Sequence, residues 1–478
     1  MRRTARLSAI ALICLPLGWT MLWLGGRTLV DGQLDTALRT LSENGYVVYI
    51  GRQEIGGFPF AYRLILDDVV ATDTRSGRAY RLNRVESQFE ASDPDAITLR
   101  LPEPVVFTLP GGQGVLEIEN EGLEVRLGGL TGTASQVQID AASLLMIAWL
   151  PDGTRAALEL IGVEALASRP GAGEAGVARL RTTIERAEWL ATLEGRAKPT
   201  AIQGEAEGLL LTGSLLDPDA LAPLALGALP GTAAFALTGE RAEVRLRPPE
   251  LDGDTLAMTA GPLNAVLDTE GTAMTARASL HASETVRLDG EGTALGALST
   301  GPVQLIHRGP LAPAPEMAPL ALSLEIANAR LDPQTQARLD TGAPEDTAPG
   351  ALSLDLVGTG RLMRPKGALP GHPAELQIGN LAIERAEASG LGASVEAGGG
   401  IEFLQPLQQP QGRATVDVEG GLGLLQRLRA AELIEQSTLL LLSAGAAFYL
   451  RPGESPDSLG AEVVFENGEI SVNGKRVR

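Results

Sequence analysis

Val115-Leu116-Glu117-Ile118-Glu119-Asn120-Glu121-Gly122-Leu123-Glu124-Val125-Arg126-Leu127 decides the fold. Apolar and charged residues alternate over Val115–Glu119 and again over Leu123–Leu127. A period of two sends successive side chains to opposite faces of a strand. Each strand then has one oily face and one wet face, the signature of antiparallel sheet covered on one side. Gly122 supplies the break between the two runs.

The same pattern recurs in both directions along the chain. It is present in Ala242–Leu246, Leu352–Leu356 and Ala414–Val418. Tyr46–Ile50 and Phe60–Leu66 are rich in strand-forming residues. Gly, Asp-Gly and Pro breaks divide many of these runs, as in meanders. Their spacing varies, which argues against a solenoid of fixed period. Val463–Phe465, Asn467-Gly468 and then Ile470 and Val472 read as a closing hairpin. The fold class is therefore mainly β, a β-rich α+β chain: a long curved antiparallel sheet or groove with a few helices.

Helical spacing is confined to a few segments. Leu29, Leu34, Leu38 and Leu41 predict a helix over Thr28–Asn44, ended by Asn44-Gly45. Asp217–Leu226 is a candidate, with Pro218 at an early position. Over Leu422–Leu450, the apolar face Leu424, Leu425, Leu428, Ala431, Leu433 and Ile434 opposes Gln426, Arg427, Arg429, Glu432 and Glu435. The uncharged run Gln436–Leu450 is short for a span, which predicts a buried core helix or a groove plug.

The N-terminus reads as a membrane element. Arg2, Arg3 and Arg6 precede Leu7–Leu24, 18 residues without a charge. At about 1.5 Å per residue this nearly crosses the hydrocarbon core, and the basic flank keeps that end in the cytoplasm. Leu7, Ile10, Leu12, Leu15, Leu17, Leu22 and Leu24 supply the apolar surface, with Trp19 and Trp23 at the far interface. Gly25-Gly26-Arg27 is a poor cleavage site, so an uncleaved anchor is favoured over a removed signal peptide. Ile13 before Cys14 argues against lipoprotein processing. The chain thus divides into an anchor (1–26), a connecting helix (27–45), a β-rich periplasmic region (46–420), C-terminal helices (421–450) and a terminal hairpin (451–478). The expected location is the inner membrane, crossed once, with the bulk in the periplasm.

Composition narrows the function more than any motif does. The 478 residues carry 39 basic and 59 acidic side chains, a net charge of −20. Such a body repels phosphate backbones, so nucleic acid is excluded as a main partner. One cysteine allows no internal disulfide and no multi-cysteine metal site. Between Thr108 and Glu402 the only aromatics are Trp149, Trp189 and Phe235, so the centre is packed with aliphatic residues. That suits either an ordinary β core or a smooth trough for acyl chains.

Catalytic motifs are missing. There is no Walker loop, no G-x-S-x-G elbow and no H-E-x-x-H. Gly171, Gly173 and Gly176 match G-x-G-x-x-G but follow the turn Ser168-Arg169-Pro170, whereas a dinucleotide site needs a strand there. Asp252-Gly253-Asp254 and Asp67-Asp68 read as solvated turn and strand acids, and His281 and His307 as surface or rim residues. No catalytic, cofactor or metal residue is assigned, and no enzyme activity is expected.

Gly57-Phe58-Pro59-Phe60 follows the first helix; Phe58 and Phe60 would share a face, and Pro59 suits an edge or bulge. These three residues are candidates for the core or for a groove rim near the membrane. Together with the basic-apolar start, Leu376–Ile383, Pro410–Val416 and the Asn-Gly hairpin, they carry a family likeness. The chain resembles the bacterial domain-of-unknown-function 2125 (DUF2125) family. The resemblance implies an envelope protein with no assigned activity. In plan it is also similar to AsmA-like proteins, which have one N-terminal span and a long curved sheet with an apolar inner face. Those are associated with lipid handling between the two bacterial membranes. Three functions stay open: a non-enzymatic protein binding lipid or other apolar ligands in a β groove, an envelope assembly factor binding protein partners, and an exported carboxylate-dependent hydrolase.

Overall fold

A computed structural model describes residues 27–477 except 29, 33, 37, 44, 58–60, 75–76, 91–92, 109–113, 129–134, 151–152, 170–176, 194–199, 216–231, 248–253, 271–272, 290, 311–317, 341–351, 364–376, 405–408, 432–433, 454–456 and 467. The anchor residues Leu7 to Leu24, the glycine triplet at 171–176 and the helix over 217–226 lie outside the described residues. Among those described, no helix is long and apolar enough to cross a membrane. The chain is mainly β, as the alternation predicts, and divides into two compact units, Met1–Pro218 and Asp219–Arg478.

The first unit opens with helix α1 (27–43), whose Val30, Leu34 and Leu38 are half-buried at four-residue spacing. Asp31 on this helix accepts a 2.7 Å hydrogen bond from Gln53. Eleven strands follow: β1 (Tyr46–Gly56), β2 (Ala61–Asp73), β3 (Ala79–Glu90), β4 (Asp93–Arg100), β5 (Val105–Thr108), β6 (Val115–Glu121), β7 (Glu124–Gly128), β8 (Ser135–Trp149), β9 (Arg155–Arg169), β10 (Ala178–Leu193) and β11 (Thr200–Leu215). All described pairings are antiparallel. Strands β1, β2 and β3 are neighbours, as are β8, β9, β10 and β11. Between β3 and β8 each rung is made of two half-strands laid end to end. One path runs β3–β4–β7–β8 and the other β3–β5–β6–β8.

A crease crosses the middle of these strands. It passes through Asp68 (φ +55°), Gly122 (+69°), Gly162 (+64°) and Gly208 (+62°). The ladders skip the same rung: Ala142, Gly162, Glu185 and Gly208 face one another with no paired contact, as do Gly51 and Asp68. In extended chain, residues on either side of a given position share a face. A helix-like left-handed residue turns each step through about 100° instead, so its two neighbours fall on opposite faces. The apolar phase accordingly shifts at the crease. On β9 it runs Leu158, Leu160 and then Val163, Ala165; on β10 Leu180, Thr182, Ile184 and then Ala187, Trp189, Ala191. Buried residues obey the shift: Leu64 and Val69 on β2, and Ala178 and Ala187 on β10, are all nearly inaccessible although the members of each pair differ by an odd number of positions, which strict alternation would put on opposite faces.

The second unit carries seventeen strands: β12 (Thr232–Gly239), β13 (Arg241–Arg247), β14 (Thr255–Ala260), β15 (Leu263–Glu270), β16 (Ala273–Leu280), β17 (Ser283–Leu288), β18 (Ala294–Thr300), β19 (Val303–Pro310), β20 (Ala318–Leu331), β21 (Leu352–Met363), β22 (Gln377–Gly390), β23 (Ala393–Leu404), β24 (Gln409–Glu419), β25 (Arg451–Pro452), β26 (Ser458–Glu466), β27 (Glu469–Val472) and β28 (Lys475–Val477). Here too long strands are broken in the middle, at Glu240, Gly261-Pro262, His281-Ala282 and Gly301-Pro302. The breaks stay in register. Gly261 donates to Ala282 O at 2.7 Å and His281 to Pro262 O at 3.0 Å; Gly301 donates to Ala327 O at 2.9 Å. From β20 onward the order is β20–β21–β22–β23–β24–β26–β27–β28.

Gly122 therefore does not separate a simple hairpin: β6 and β7 are successive halves that both pair with β8. The closing hairpin is as expected, with Val463 opposite Val472 and Phe465 opposite Ile470.

Among the described residues of this unit there are three helices: α2 (Pro333–Asp340), α3 (Gly421–Ala430) and α4 (Gln436–Tyr449). The sequence did not signal α2, which is capped by Asp332 (2.9 Å to the Thr335 amide) and held by the buried Leu339. Helix α4 corrects the expectation of a buried core helix or plug. None of its residues is buried, and Leu440, Leu441 and Phe448 are 60%, 73% and 57% exposed.

Candidate functional site

The second unit assembles a continuous apolar face from short, one-residue contributions. One row of cross-strand neighbours reads His307, Leu322, Gly358, Ile383, Gly399, Ala414, Val463 and Val472. The next reads Leu320, Gly360, Leu381, Ile401, Gly412 and Phe465. A third, Leu324, Leu356, Ala386, Ala397, Val416 and Ala461, is apolar throughout. Directly opposed side chains on one face are neighbours, so a glycine between two large residues leaves a gap between them.

The gap at Gly358 is open. Leu322 and Leu381 are each 39% exposed and Ile383 is 38% exposed, flanking Gly358 and Gly360. Leu305, on the same face as Leu324, is 39% exposed. Large aliphatic side chains gathered on one face around bare backbone form an apolar patch that water covers at a cost of about 25 cal/mol per Å². Small residues are required at three of the gaps: at Gly360, which is buried, a Cβ would stand 2.7 Å from Asn380 O and 3.1 Å from Leu381 Cδ2. Gly399 (φ +144°) and Gly412 (+152°) lie where a Cβ would stand 2.4 Å from Arg413 O and 2.1 Å from Gly400 O. At Gly358 a Cβ would meet only Ala382 O, at 3.4 Å, so backbone crowding does not demand this glycine. His307 lies in this apolar row opposite Leu322 and is half-buried, rather than on the wet rim.

The opposite faces are wet and laced by cross-strand ion pairs. Arg277 reaches Asp268 at 3.1 Å, Arg287 reaches Asp254 at 2.7 Å and Arg385 reaches Asp355 at 2.6 Å. The acids Asp67 and Asp254, which the sequence marks as solvated, belong to such pairs. In the first unit two adjoining depressions of about 410 and 300 Å³ share Asp140, Glu164 and Thr183, with Arg181 on one side and Glu185 at the crease on the other. They are polar and open, and they hold carboxylates, as a hydrolase would need. The carboxylates with the clearest perturbation lie elsewhere. The Arg63 guanidinium, hydrogen-bonded to Glu86, holds that carboxyl below its ordinary range against partial desolvation, with Arg84 adding to the effect. Asp289 is lowered by the Thr293 and Glu291 amides of its turn. Both shifts favour the ionised form, opposite to what a general acid requires.

The Glu86 shift has a stability consequence. A folded carboxyl below its unfolded value contributes stability above the unfolded pKa and loses it as pH falls through the folded one. Arg63→Ala should raise the Glu86 titration midpoint toward the ordinary carboxylate range. It should also cost under about 1 kcal/mol at neutral pH, because the pair is partly exposed. Carboxyl-resolved NMR titration and urea midpoints at pH 7 and pH 3 measure both effects, and the wild-type advantage should shrink as the pH falls.

Phe58, Pro59 and Phe60 lie outside the described residues. Their flanks meet in a turn: the Ala61 amide donates to Gly57 O at 3.2 Å, and Gly57 has φ +96°. The exposed Leu305, Leu322, Leu381 and Ile383 were missed by sequence reasoning. Their signal is glycine opposite leucine across strands, which becomes visible only once the register is known.

Residues 23–305 match a family described as uncharacterized proteins conserved in bacteria, DUF2125. The chain belongs to the DUF2125 family. The match covers more than half the sequence, from the end of the apolar leader to the start of β19. No curated protein and no solved structure matches it. The family assignment bears out the resemblance; of the segments that carried it, Gly57-Phe58-Pro59-Phe60 falls within the matched residues while Leu376–Ile383, Pro410–Val416 and the Asn-Gly hairpin lie beyond them, and the comparisons show no AsmA-like relative. The open face around Gly358 lies C-terminal to the matched residues.

Proposed function

We propose that this DUF2125 chain is a non-enzymatic envelope protein, tethered to the inner membrane by Leu7–Leu24, that binds lipid acyl chains along the apolar face of its β-sheet. The observation that carries the reading is the exposed set Leu305, Leu322, Leu381 and Ile383 around the gap at Gly358. A flexible methylene chain fits such a strip. It needs no directional partner, and each CH₂ withdrawn from water is worth about 0.8 kcal/mol. The basic-apolar leader supports the tether and a periplasmic side for the face. The plan of one span followed by a long one-sided sheet, similar to that of AsmA-like proteins, supports the ligand class.

The full chain, extracted in a mild detergent, should carry phospholipid or fatty acid through purification. Mass spectrometry of the organic extract, against an unrelated single-span protein handled identically, reads this. A lipid profile indistinguishable from that control, together with no uptake of labelled phospholipid, removes the reading.

A second reading has its own support. Strand β1 pairs with β2 alone among the described residues and exposes Val47 (61%) and Tyr49 (64%). An uncovered edge with apolar side chains can take an added strand from a protein partner. In-cell crosslinking from position 47 that captures a reproducible envelope protein and no lipid would favour the assembly factor.

A further inference from the structure

Helix α4, Gln436-Ser437-Thr438-Leu439-Leu440-Leu441-Leu442-Ser443-Ala444-Gly445-Ala446-Ala447-Phe448-Tyr449, contains no charged residue. A helix apolar on all sides belongs in a protein core or in a bilayer. This one is not in a core. Leu440, Leu441, Leu442 and Phe448 are 60%, 73%, 46% and 57% exposed, and no residue of the helix is buried. Its 14 residues extend about 21 Å, short of the roughly 30 Å hydrocarbon thickness. It is too short to span, and apolar helices of this length occur as interfacial or re-entrant segments.

The ends of the helix are fixed, and what fixes them is basic. At the C-terminal end the Lys475 ammonium lies 4.1 Å from the centre of the Phe448 ring and donates to Phe448 O. Asn473 donates to Tyr449 O at 2.7 Å, and Arg451 follows directly, donating to Asn473 O at 2.9 Å. At the other end Arg429 donates to the Gln436 side chain at 3.1 Å. Arg429, Arg451 and Lys475 thus have neutral oxygens as partners and keep their charge. Among the described residues, Glu435 accepts from Ser437, Glu469 is paired with Arg476, and Glu462, whose amide donates to Asn473, is paired with Arg413. In a chain of net charge −20, an exposed aliphatic helix is bracketed by three cations. Aliphatic surface with a cationic rim complements an anionic lipid surface: leucines enter the acyl boundary while Lys and Arg stay at the headgroups.

We infer that α4 is a second membrane contact, inserting its leucines into the interface of an anionic bilayer without crossing it. This contact is separate from acyl-chain binding on the sheets. Either property can fail while the other stands, because α4 and the Gly358 strip share no residue.

The test uses the full chain, held in phosphatidylcholine bilayers, with Cys14→Ser and Leu441→Cys carrying an environment-sensitive fluorophore. Nitroxide-labelled lipid is placed either in the host bilayer or in added vesicles containing phosphatidylglycerol. Contact predicts a blue-shifted emission that loses most of its intensity to the nitroxide in one of the two arms, and the arm identifies which bilayer is touched. Arg451→Gln and Lys475→Gln should each weaken the response to added anionic vesicles about fivefold. A fluorophore on Thr183→Cys, on the wet side of the first unit, should respond in neither arm. Emission quenched by aqueous iodide and by no lipid overturns the inference. So does 441–441 crosslinking between chains with shielding from lipid, which would make α4 an interface between copies.

Discussion

Gly162→Val is expected to lower the stability of the first unit by about 3 kcal/mol. Two costs combine. Gly162 has φ +64°, a region where a β-branched residue is strained. A Cβ there would also stand 2.5 Å from the Glu185 Cγ and Cδ atoms, because the Glu185 side chain lies over the bare backbone. The glutamate can swing away, so the second cost is recoverable and the first is not. Glu185→Ala in the Gly162→Val background should therefore restore only part of the loss. Gly162→Asn, a residue that tolerates left-handed geometry, should cost less than valine despite its size. Denaturant midpoints followed by circular dichroism give the ranking. If valine and asparagine prove equally harmful, bulk decides the outcome and the left-handed turn does not.

The effect reaches beyond one residue because Gly162 sets the phase of β9. Leu158 and Leu160 precede it and Val163 and Ala165 follow it on the apolar side. A chain that refused the turn would keep strict alternation and send one half of that set into water, the failure a one-residue register slip produces. Val163, 5% exposed, marks how fully that side is withdrawn from solvent next to the crease.

The crease also explains what was legible in the sequence. Alternation over Val115–Glu119, Ala242–Leu246 and Ala414–Val418 is local, and each became strand. The Asn467-Gly468 hairpin is equally local, and it formed. Gly122, Gly261-Pro262 and Gly301-Pro302 were legible only as breaks. Whether a break reverses the chain or merely kinks it depends on which strand pairs alongside, and pairing is not written in the segment itself. The same limit hid the gap at Gly358. Helix α4 shows another limit. A short uncharged run predicts burial, yet the surface that buries it need not belong to the same chain.

Filling the gap at Gly358 should separate ligand binding from folding. Gly358 stands between Leu322 and Ile383 in one cross-strand row, and a Cβ there would make ordinary contact with Ala382 O at 3.4 Å. Gly358→Leu can thus be housed without backbone strain, and it replaces a weak strand former with a better one. Its side chain would occupy the space between the two exposed residues and bury part of their surface. Stability should stay within about 1 kcal/mol of wild type, since the added methylenes enter open space rather than a packed core. Lipid occupancy should fall about tenfold, because displacing two bound methylenes from the strip forfeits about 1.6 kcal/mol. Leu322→Glu should abolish occupancy by placing a carboxylate where the chain lies, and its exposed position lets the protein fold around the charge. Gly412→Leu is the contrasting change. A Cβ there meets Gly400 O at 2.1 Å with φ +152°, so this variant should unfold the region rather than merely empty it. Labelled-phospholipid uptake measured beside a thermal melt for the three variants resolves them. Full lipid uptake by a folded Gly358→Leu protein would take the ligand off this face.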